Sequence, residues 1–414
     1  MPSLDPFFRE WADRTLGQER SLDRAAALLR ALGLCTERVP VLGVVGSKGK
    51  GSTATVAAAT LSAAGLRTVL VTGPSFRSYR ERVRVDGTSI GDFELDALGA
   101  KLDAAKAALP RDTGYLAPSG LFLIAGLLKA RQIGADVCVL EAGMGGHRDE
   151  LRLVEPEVVA LGEIFAEHLG VLGDSVADIA WEKVRVVGER TRALISLPQS
   201  PEVSPVVART LTEVTGGRMR PRIVDPDTPG VEPPTDLRPP GLSAASGVLG
   251  VAAATRMLEL LDLPPAPAHR LRRVLGTLNL PARLSEHPVP GDPTARVLVD
   301  SAIDRVGVRT ALSQARARWG DVDHVLLCLP DHKDVSGAID VLQGLPVTAV
   351  RLPEAHLRFE HDLPPHWNHV DAEGLTPEVV TALGNRVLAL GTVYFTGRMM
   401  EVLDAPTDRL FESD

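Results

Sequence analysis

Val41-Leu42-Gly43-Val44-Val45-Gly46-Ser47-Lys48-Gly49-Lys50-Gly51-Ser52-Thr53 is an apolar run that passes straight into a glycine-rich loop. The spacing predicts a helix from about Thr53 to Ala64, closed by Gly65, and Thr68-Val69-Leu70-Val71-Thr72 reads as the next strand. Strand, loop, helix and strand in that order form a βαβ unit. Phosphate binding needs backbone N–H groups aimed into a concavity, and glycine permits both the unusual φ and the close approach. The helix start adds partial positive charge, and Lys50 adds a full one near the β- and γ-phosphates. Ser52 or Thr53 offers a hydroxyl to a phosphate-bound magnesium ion. The loop departs from the general P-loop pattern twice: Val44 stands at its first glycine, and Gly51 follows the lysine where Ser or Thr is usual. A turn that is merely glycine-rich is the rival reading, and the strand–loop–helix context argues against it. Gly46, Ser47, Gly49, Lys50, Gly51, Ser52 and Thr53 are therefore the candidate ATP-phosphate cradle.

Working outward, Asp136–Glu141, Val158–Leu161 and Ala193–Leu197 are apolar runs without alternation, as expected for parallel strands covered on both faces. A helix is expected over Leu22–Leu32 and another over about Ala244–Leu261. Between Asp225 and Gly241, ahead of the second of these helices, Pro226, Pro229, Pro233, Pro234, Pro239 and Pro240 crowd together, which reads as a surface connection because proline cannot donate to a helix or a central strand. A second strand–helix series follows: Ala295–Asp300, His324–Leu329, Val347–Val350 and Val387–Leu390. The expected architecture is α/β: an N-terminal P-loop ATPase domain with a mostly parallel sheet over 1–280, and a smaller C-terminal Rossmann-like α/β domain over 281–414.

Length and composition agree. At 414 residues the chain suits two domains, and 44% apolar with 24% charged residues is ordinary for a globular protein. The net charge of −8 comes without any basic block, so nothing points to nucleic acid. No apolar run is long enough to span a bilayer, and Met1–Glu10 lacks the apolar core of a secretory signal. Cys35, Cys138 and Cys328 are an odd number at wide spacings, the last two inside strand-like runs. They read as free structural thiols in a reducing cytoplasm.

The form Gly-x-x-Gly-Lys-Gly-Ser-Thr resembles the phosphate loop of the Mur ligase superfamily, specifically the folylpolyglutamate and dihydrofolate synthases. Other matches fall in that family's order. Glu81–Gly87 with Ile90 is similar to its Glu-Arg-Ile stretch. Val139-Leu140-Glu141-Ala142-Gly143-Met144-Gly145-Gly146 with Asp149 is similar to its Val-Leu-Glu-Val-Gly-Leu-Gly-Gly motif. His168, Leu172-Gly173-Asp174 and Ile179-Ala180-Trp181-Glu182-Lys183 match in turn. Leu280-Pro281-Ala282-Arg283 resembles the family's domain junction, and Asp300, Lys333-Asp334 and Gly391–Gly397 match pieces of its second domain.

The resemblance implies roles. Ser52, Glu141 and His168 become magnesium ligands, and Lys183 the lysine that many members carbamylate into a further ligand. Lys50, Lys183 and His168 become the catalytic set, while Arg283 and Asp300 contact ATP from the junction and the second domain. Plainer alternatives stand beside each: Glu141 as a strand-end carboxylate, His168 as a solvent-facing loop histidine, Lys183 as a helix-surface lysine pairing with Glu182 or Asp178, and Arg283 and Asp300 as solvated surface residues. The implied reaction is an ATP- and Mg²⁺-dependent amide-bond ligation through an acyl phosphate, adding L-glutamate to a folate, in a cytoplasmic monomer with small-molecule substrates only. The chain departs from the family at Gly73, where a serine is expected, at Ser119, at Ser246 in the base-binding segment, and at Ile303. Two alternatives follow: a diverged Mur-type ligase joining another acid and amine in specialised metabolism, or a non-catalytic nucleotide-binding module.

Overall fold

The computed structural model describes residues 5–15, 17–36, 39–110, 114–225, 235–354 and 357–413. Among these, fourteen strands make two sheets, one in each of two α/β domains. The first sheet contains β1 (Val41–Val45), β2 (Thr68–Val71), β3 (Val83–Val85), β4 (Thr88–Ser89), β5 (Val137–Glu141), β6 (Val158–Leu161), β7 (Ala193–Ser196) and β8 (Arg222–Ile223). Its order is β4-β3-β2-β5-β1-β6-β7-β8, parallel except for the antiparallel β2–β3 and β3–β4 pairs. The second contains β9 (Ser285–Val289), β10 (Asp292–Asp300), β11 (His324–Cys328), β12 (Val347–Arg351), β13 (Asn368–Asp371) and β14 (Arg386–Gly391), in the order β13-β12-β11-β14-β10-β9. Only β9 runs antiparallel there.

The apolar runs without alternation sit where both sheet faces are covered. All five residues of β1 are buried, flanked by β5 and β6 in register Leu42↔Val139 and Leu42↔Val158. Brought together this way, the C-terminal ends of β1, β5 and β6 place the loop after β1 beside Glu141 and Gly162. That is the edge at which open α/β sheets bind ligands.

The helix after the loop spans Lys50–Ala63, starting three residues before the expected Thr53 because Gly49, at φ 76°, already caps it. Residues 52–63 are all buried. Their small side chains let the helix Ala244–Leu260 come close: a Cβ on Gly250 would stand 2.8 Å from the Thr53 carbonyl oxygen and 2.8 Å from Val56 Cβ. An Ala/Ser/Thr palette therefore sets a tight helix pair behind the loop.

Strands β3, β4, β8, β9 and β13 were not among the expected ones. The β3–β4 turn is Asp86-Gly87, both at positive φ (47° and 82°), which is a recognisable hairpin signal. The last residues of the chain return to the first domain: Leu410 and Phe411 join its core, and buried Arg84 donates to the Thr407 and Asp408 carbonyls at 2.8 and 2.6 Å. Of the proline-rich stretch, Pro226, Pro229, Pro233 and Pro234 lie outside the described residues, and Thr235–Leu237 forms one 3₁₀ turn. No described helix is long and apolar enough to cross a membrane. Cys138 and Cys328 are buried and Cys35 exposed, all unbridged; burial pushes the two inner thiols well up, which makes them inert.

Candidate nucleotide and magnesium site

Two glycines shape the loop. Gly46 has φ 146°, and a Cβ there would lie 2.9 Å from the Gly162 Cα, so the loop passes directly over the end of β6. At Gly49 a Cβ would stand 2.5 Å from the Ser246 hydroxyl. Ser47 ties the loop down: its N–H donates to the Glu163 carbonyl at 3.0 Å, and its hydroxyl accepts from the Phe165 N–H at 3.2 Å. The Ser47 N–H and hydroxyl are thus both engaged within the protein, and the residue holds the loop in shape. Lys50 folds back on the loop, donating to the Gly46 and Ser47 carbonyls at 3.2 and 3.4 Å.

Glu141 ends β5 beside this loop. Its Oε2 accepts the Gly73 N–H at 3.0 Å, and a Cβ on Gly51 would stand 3.4 Å from the same oxygen. A side chain at position 51 would therefore face Glu141 in ordinary van der Waals contact. Burial raises the Glu141 pKa, opposed by Lys50, the Gly73 N–H, Arg283 and Arg82. This carboxylate lies in the field of three cations, so it is not an ordinary strand-end carboxylate.

Lys183 is 2% exposed, so the helix-surface alternative fails. Its ammonium donates to the Gly46 carbonyl at 2.9 Å and pairs with Glu167 at 2.8 Å. The alternative partners are engaged elsewhere: Glu182 accepts the Gly146 and Arg148 N–H groups, and Asp178 caps its helix at Ser175. Burial lowers the Lys183 pKa, assisted by the charge of Lys50 and resisted by Glu167. His168 sits at φ 48° next to Glu167, and burial holds its imidazole below the usual range. Lys333, Lys183 and Lys50 push it the same way, while Glu167 opposes them.

Arg283 and Asp300 meet at the junction. Asp300 is largely buried and its Oδ2 accepts the Leu284 N–H at 2.9 Å, fixing a turn in which Ala282 and Leu284 both take positive φ. Burial raises the Asp300 pKa, with Arg283 first among the groups opposing it. Arg283 itself donates to the Ala282 carbonyl at 3.0 Å and lines a narrow cleft of about 70 Å³ with Gly51, Ser52, Gly73 and Glu141. Neither residue is a plain solvated one: Asp300 holds the junction, and Arg283 faces the cleft.

One cross-domain contact was not expected. Lys48, in the phosphate loop, forms an ion pair with Asp304, which caps the helix Arg305–Trp319 by accepting the Gly307 N–H at 2.8 Å. An acidic N-cap before a helix was legible in the sequence, but its partner 256 residues away was not.

Among the described residues no three His, Cys, Asp or Glu side chains gather as a metal cage. Glu141, the neutral His168 and the Ser52 hydroxyl suit a magnesium ion whose remaining ligands are phosphate and water. Lys183, as a cation, donates hydrogen bonds and offers no ligand unless modified. A separate cavity of about 730 Å³, lined by Arg20, Tyr115, Met144, Arg148 and Leu172 among others, opens beside the Gly145-Gly146 turn.

No family model matches the sequence. Over 159 residues it is 40% identical to a probable bifunctional folylpolyglutamate synthase/dihydropteroate synthase of Haloferax volcanii, covering 38% of this chain and 19% of that protein. Over 204 residues it is 29% identical to the dihydrofolate synthase/folylpolyglutamate synthase of Bacillus subtilis, covering 48% of this chain and 47% of that one. The chain thus spans less than half the length of these curated relatives. In three dimensions a folylpolyglutamate synthase in complex with AMPPCP matches at a TM-score of 0.78, covering 98% of this chain and 100% of that chain at 20% identity. Mycobacterium tuberculosis folylpolyglutamate synthase complexed with ADP matches at 0.75, covering 93% and 95% at 18% identity. The fold is a two-domain α/β one. More closely, it is the fold of these solved folylpolyglutamate synthases.

Proposed function

We propose that this chain is an ATP- and Mg²⁺-dependent carboxylate–amine ligase that adds L-glutamate to a folate. The observation that carries the reading is the convergence of the phosphate loop, Glu141 and the buried Lys183 at the C-terminal edge of one sheet, facing a second domain across a cleft. The domain division is placed at 280/281, with the junction arginine Arg283 just beyond it.

The chemistry follows from the reactants. A free carboxylate is a poor acceptor because its leaving group would be oxide, so it is first phosphorylated by ATP. The N–H groups of Gly46, Gly49, Lys50, Gly51 and Ser52 hold the phosphates, while Ser47 and Thr53 shape the loop through their own N–H bonds to the Glu163 and Gly49 carbonyls. Lys50 and Arg283 offset charge on the phosphoryl group in transit, where preorganised donors act most strongly. Glu141, His168 and Ser52 would hold Mg²⁺, with Lys183 joining them only if carbamylated; the ion supplies charge neutralisation at the phosphoryl oxygens. Lys183, as an unmodified ammonium, keeps the loop carbonyl of Gly46 and the Glu167 carboxylate in place. An amine then attacks the acyl phosphate carbon and phosphate leaves. Asp300 and the Lys48–Asp304 pair keep the two domains aligned, which excludes water from the acyl phosphate.

A different acid and amine is the second reading, favoured by the missing side chain at Gly73 and by Ser246, whose hydroxyl bonds Ser243 at 2.9 Å. Magnesium-dependent ADP release with tetrahydrofolate or dihydropteroate, measured with and without glutamate, separates the two. Glutamate-dependent release supports the folate reading; ATP binding with no release in either mixture moves the assignment to another substrate pair.

A further inference from the structure

Arg82 is half-buried, with its Nε fully covered, and stands apart from the two buried arginines of the first domain. Arg24 is held by both Glu10 oxygens, at 2.6 and 3.0 Å, and Arg84 by two carbonyls of the C-terminal tail. The Arg82 guanidinium instead lies over the Phe122 ring at 4.9 Å and the Tyr79 ring at 5.6 Å. Its Nε has no hydrogen-bond partner, and among the described residues no carboxylate lies in ion-pair contact with it. Burial lowers its pKa, against the pull of Tyr79, Glu141 and Tyr394. Ring stacking offsets part of the desolvation but leaves the guanidinium edge, the side that makes bidentate bonds, without an anion. A partly desolvated cation without an anion carries a cost, which a ligand's anion offsets.

Its position names the ligand. Glu141 touches the phosphate loop at Gly51 on one side and accepts the Gly73 N–H on the other. Beyond Gly73, a Cβ on that residue would stand 3.5 Å from Arg82 Nη1. The order is phosphate loop, Glu141, Gly73, Arg82, with Tyr394 of the second domain in the field of the guanidinium. The loop and Lys50 already account for the phosphates, so an anion at Arg82 lies past the γ-phosphate, on the acceptor side. A planar fork suits a carboxylate.

We propose that Arg82 anchors the carboxylate of the acid substrate, and that the missing side chain at Gly73 leaves the gap through which that carboxylate reaches it. One carboxylate oxygen then forms the new bond to the γ-phosphorus as the bond from γ-phosphorus to the bridging oxygen breaks. That electron pair leaves with ADP, and the product is an acyl phosphate. The inference rests on the ligase reading above.

The test is calorimetric titration with sodium glutarate, a dicarboxylate with neither amine nor pterin, at saturating Mg·AMPPCP. Wild type is expected to bind; R82A weakens glutarate at least ten-fold, R82K by less, and G73S several-fold. AMPPCP affinity stays unchanged in R82A and R82K, which also reports that both variants are folded. Equal glutarate affinity in R82A and wild type overturns the proposal, as does wild type that binds AMPPCP but no glutarate. If Arg82 serves only to offset Glu141, R82A alters the magnesium dependence and leaves glutarate untouched, which overturns it too. Arg82-dependent glutarate binding in a protein that never releases ADP would instead refute the ligase reading and leave the anion site standing.

Discussion

Replacing Glu167 by Gln isolates the electrostatics beneath the phosphate loop. Lys183 is 2% exposed and the Glu167 side chain 18%, with 2.8 Å between the charged atoms. Removing one partner of a fully buried pair costs about 3–5 kcal/mol, because an uncompensated charge stays behind. Partial solvent access at Glu167 reduces this to roughly 2 kcal/mol. In a protein of this size that corresponds to a fall in Tm of about 2–4 °C at pH 7. The pH dependence has a definite sign. The folded pKa of Lys183 already lies below 10.5, and loss of Glu167, which raises it, lowers it further. Between that folded value and 10.5 the unfolded chain binds more protons than the folded one, so stability attributable to Lys183 rises with pH. The deficit of E167Q against wild type therefore shrinks as pH rises toward 10, because the ammonium that lost its partner is neutral there. Differential scanning calorimetry at pH 7 and 9.5 measures both quantities. A Tm within 1 °C of wild type at pH 7, or a deficit that grows at pH 9.5, would refute this account of Lys183.

Three further outcomes are expected. Lys50→Ala removes a charge-assisted contact to phosphate, and equilibrium titration should find ATP affinity reduced about 10- to 100-fold with Tm nearly unchanged. Gly250→Val places a side chain against the Thr53 carbonyl and Val56, each 2.8 Å from the Cβ position, and urea denaturation should record a loss of about 1–3 kcal/mol or more. Asp304→Ala removes the cap of the helix Arg305–Trp319 together with the partner of Lys48. The cap is worth about 1 kcal/mol. Because the Lys48 side chain is more than half exposed, the ion pair adds little to stability and its effect should fade with added salt.

Much of this site was legible before any coordinates. Val41–Val45 running into Gly46–Thr53 fixed a parallel strand, a phosphate loop and a helix start, because local geometry alone demands apolar residues, then glycines, then small helix formers in that order. The strand-end position of Glu141 followed from the same pattern. The Asp86-Gly87 hairpin was also readable and went unread, while the two-residue β8 and the edge strand β13 carry too few residues to make a period.

What the chain's own order determined was therefore local: two series of buried strands and helices, and a loop shaped for phosphate. The tertiary structure decided the pairings across distance. Lys183 meets Glu167 and the Gly46 carbonyl, Lys48 meets Asp304 across the cleft, and Phe411 returns to the first core. It also set Gly51 and the Gly73 N–H beside the Glu141 carboxylate. Such facts depend on which elements lie side by side, and charge, burial and steric room at a residue are set by neighbours that the linear sequence does not place.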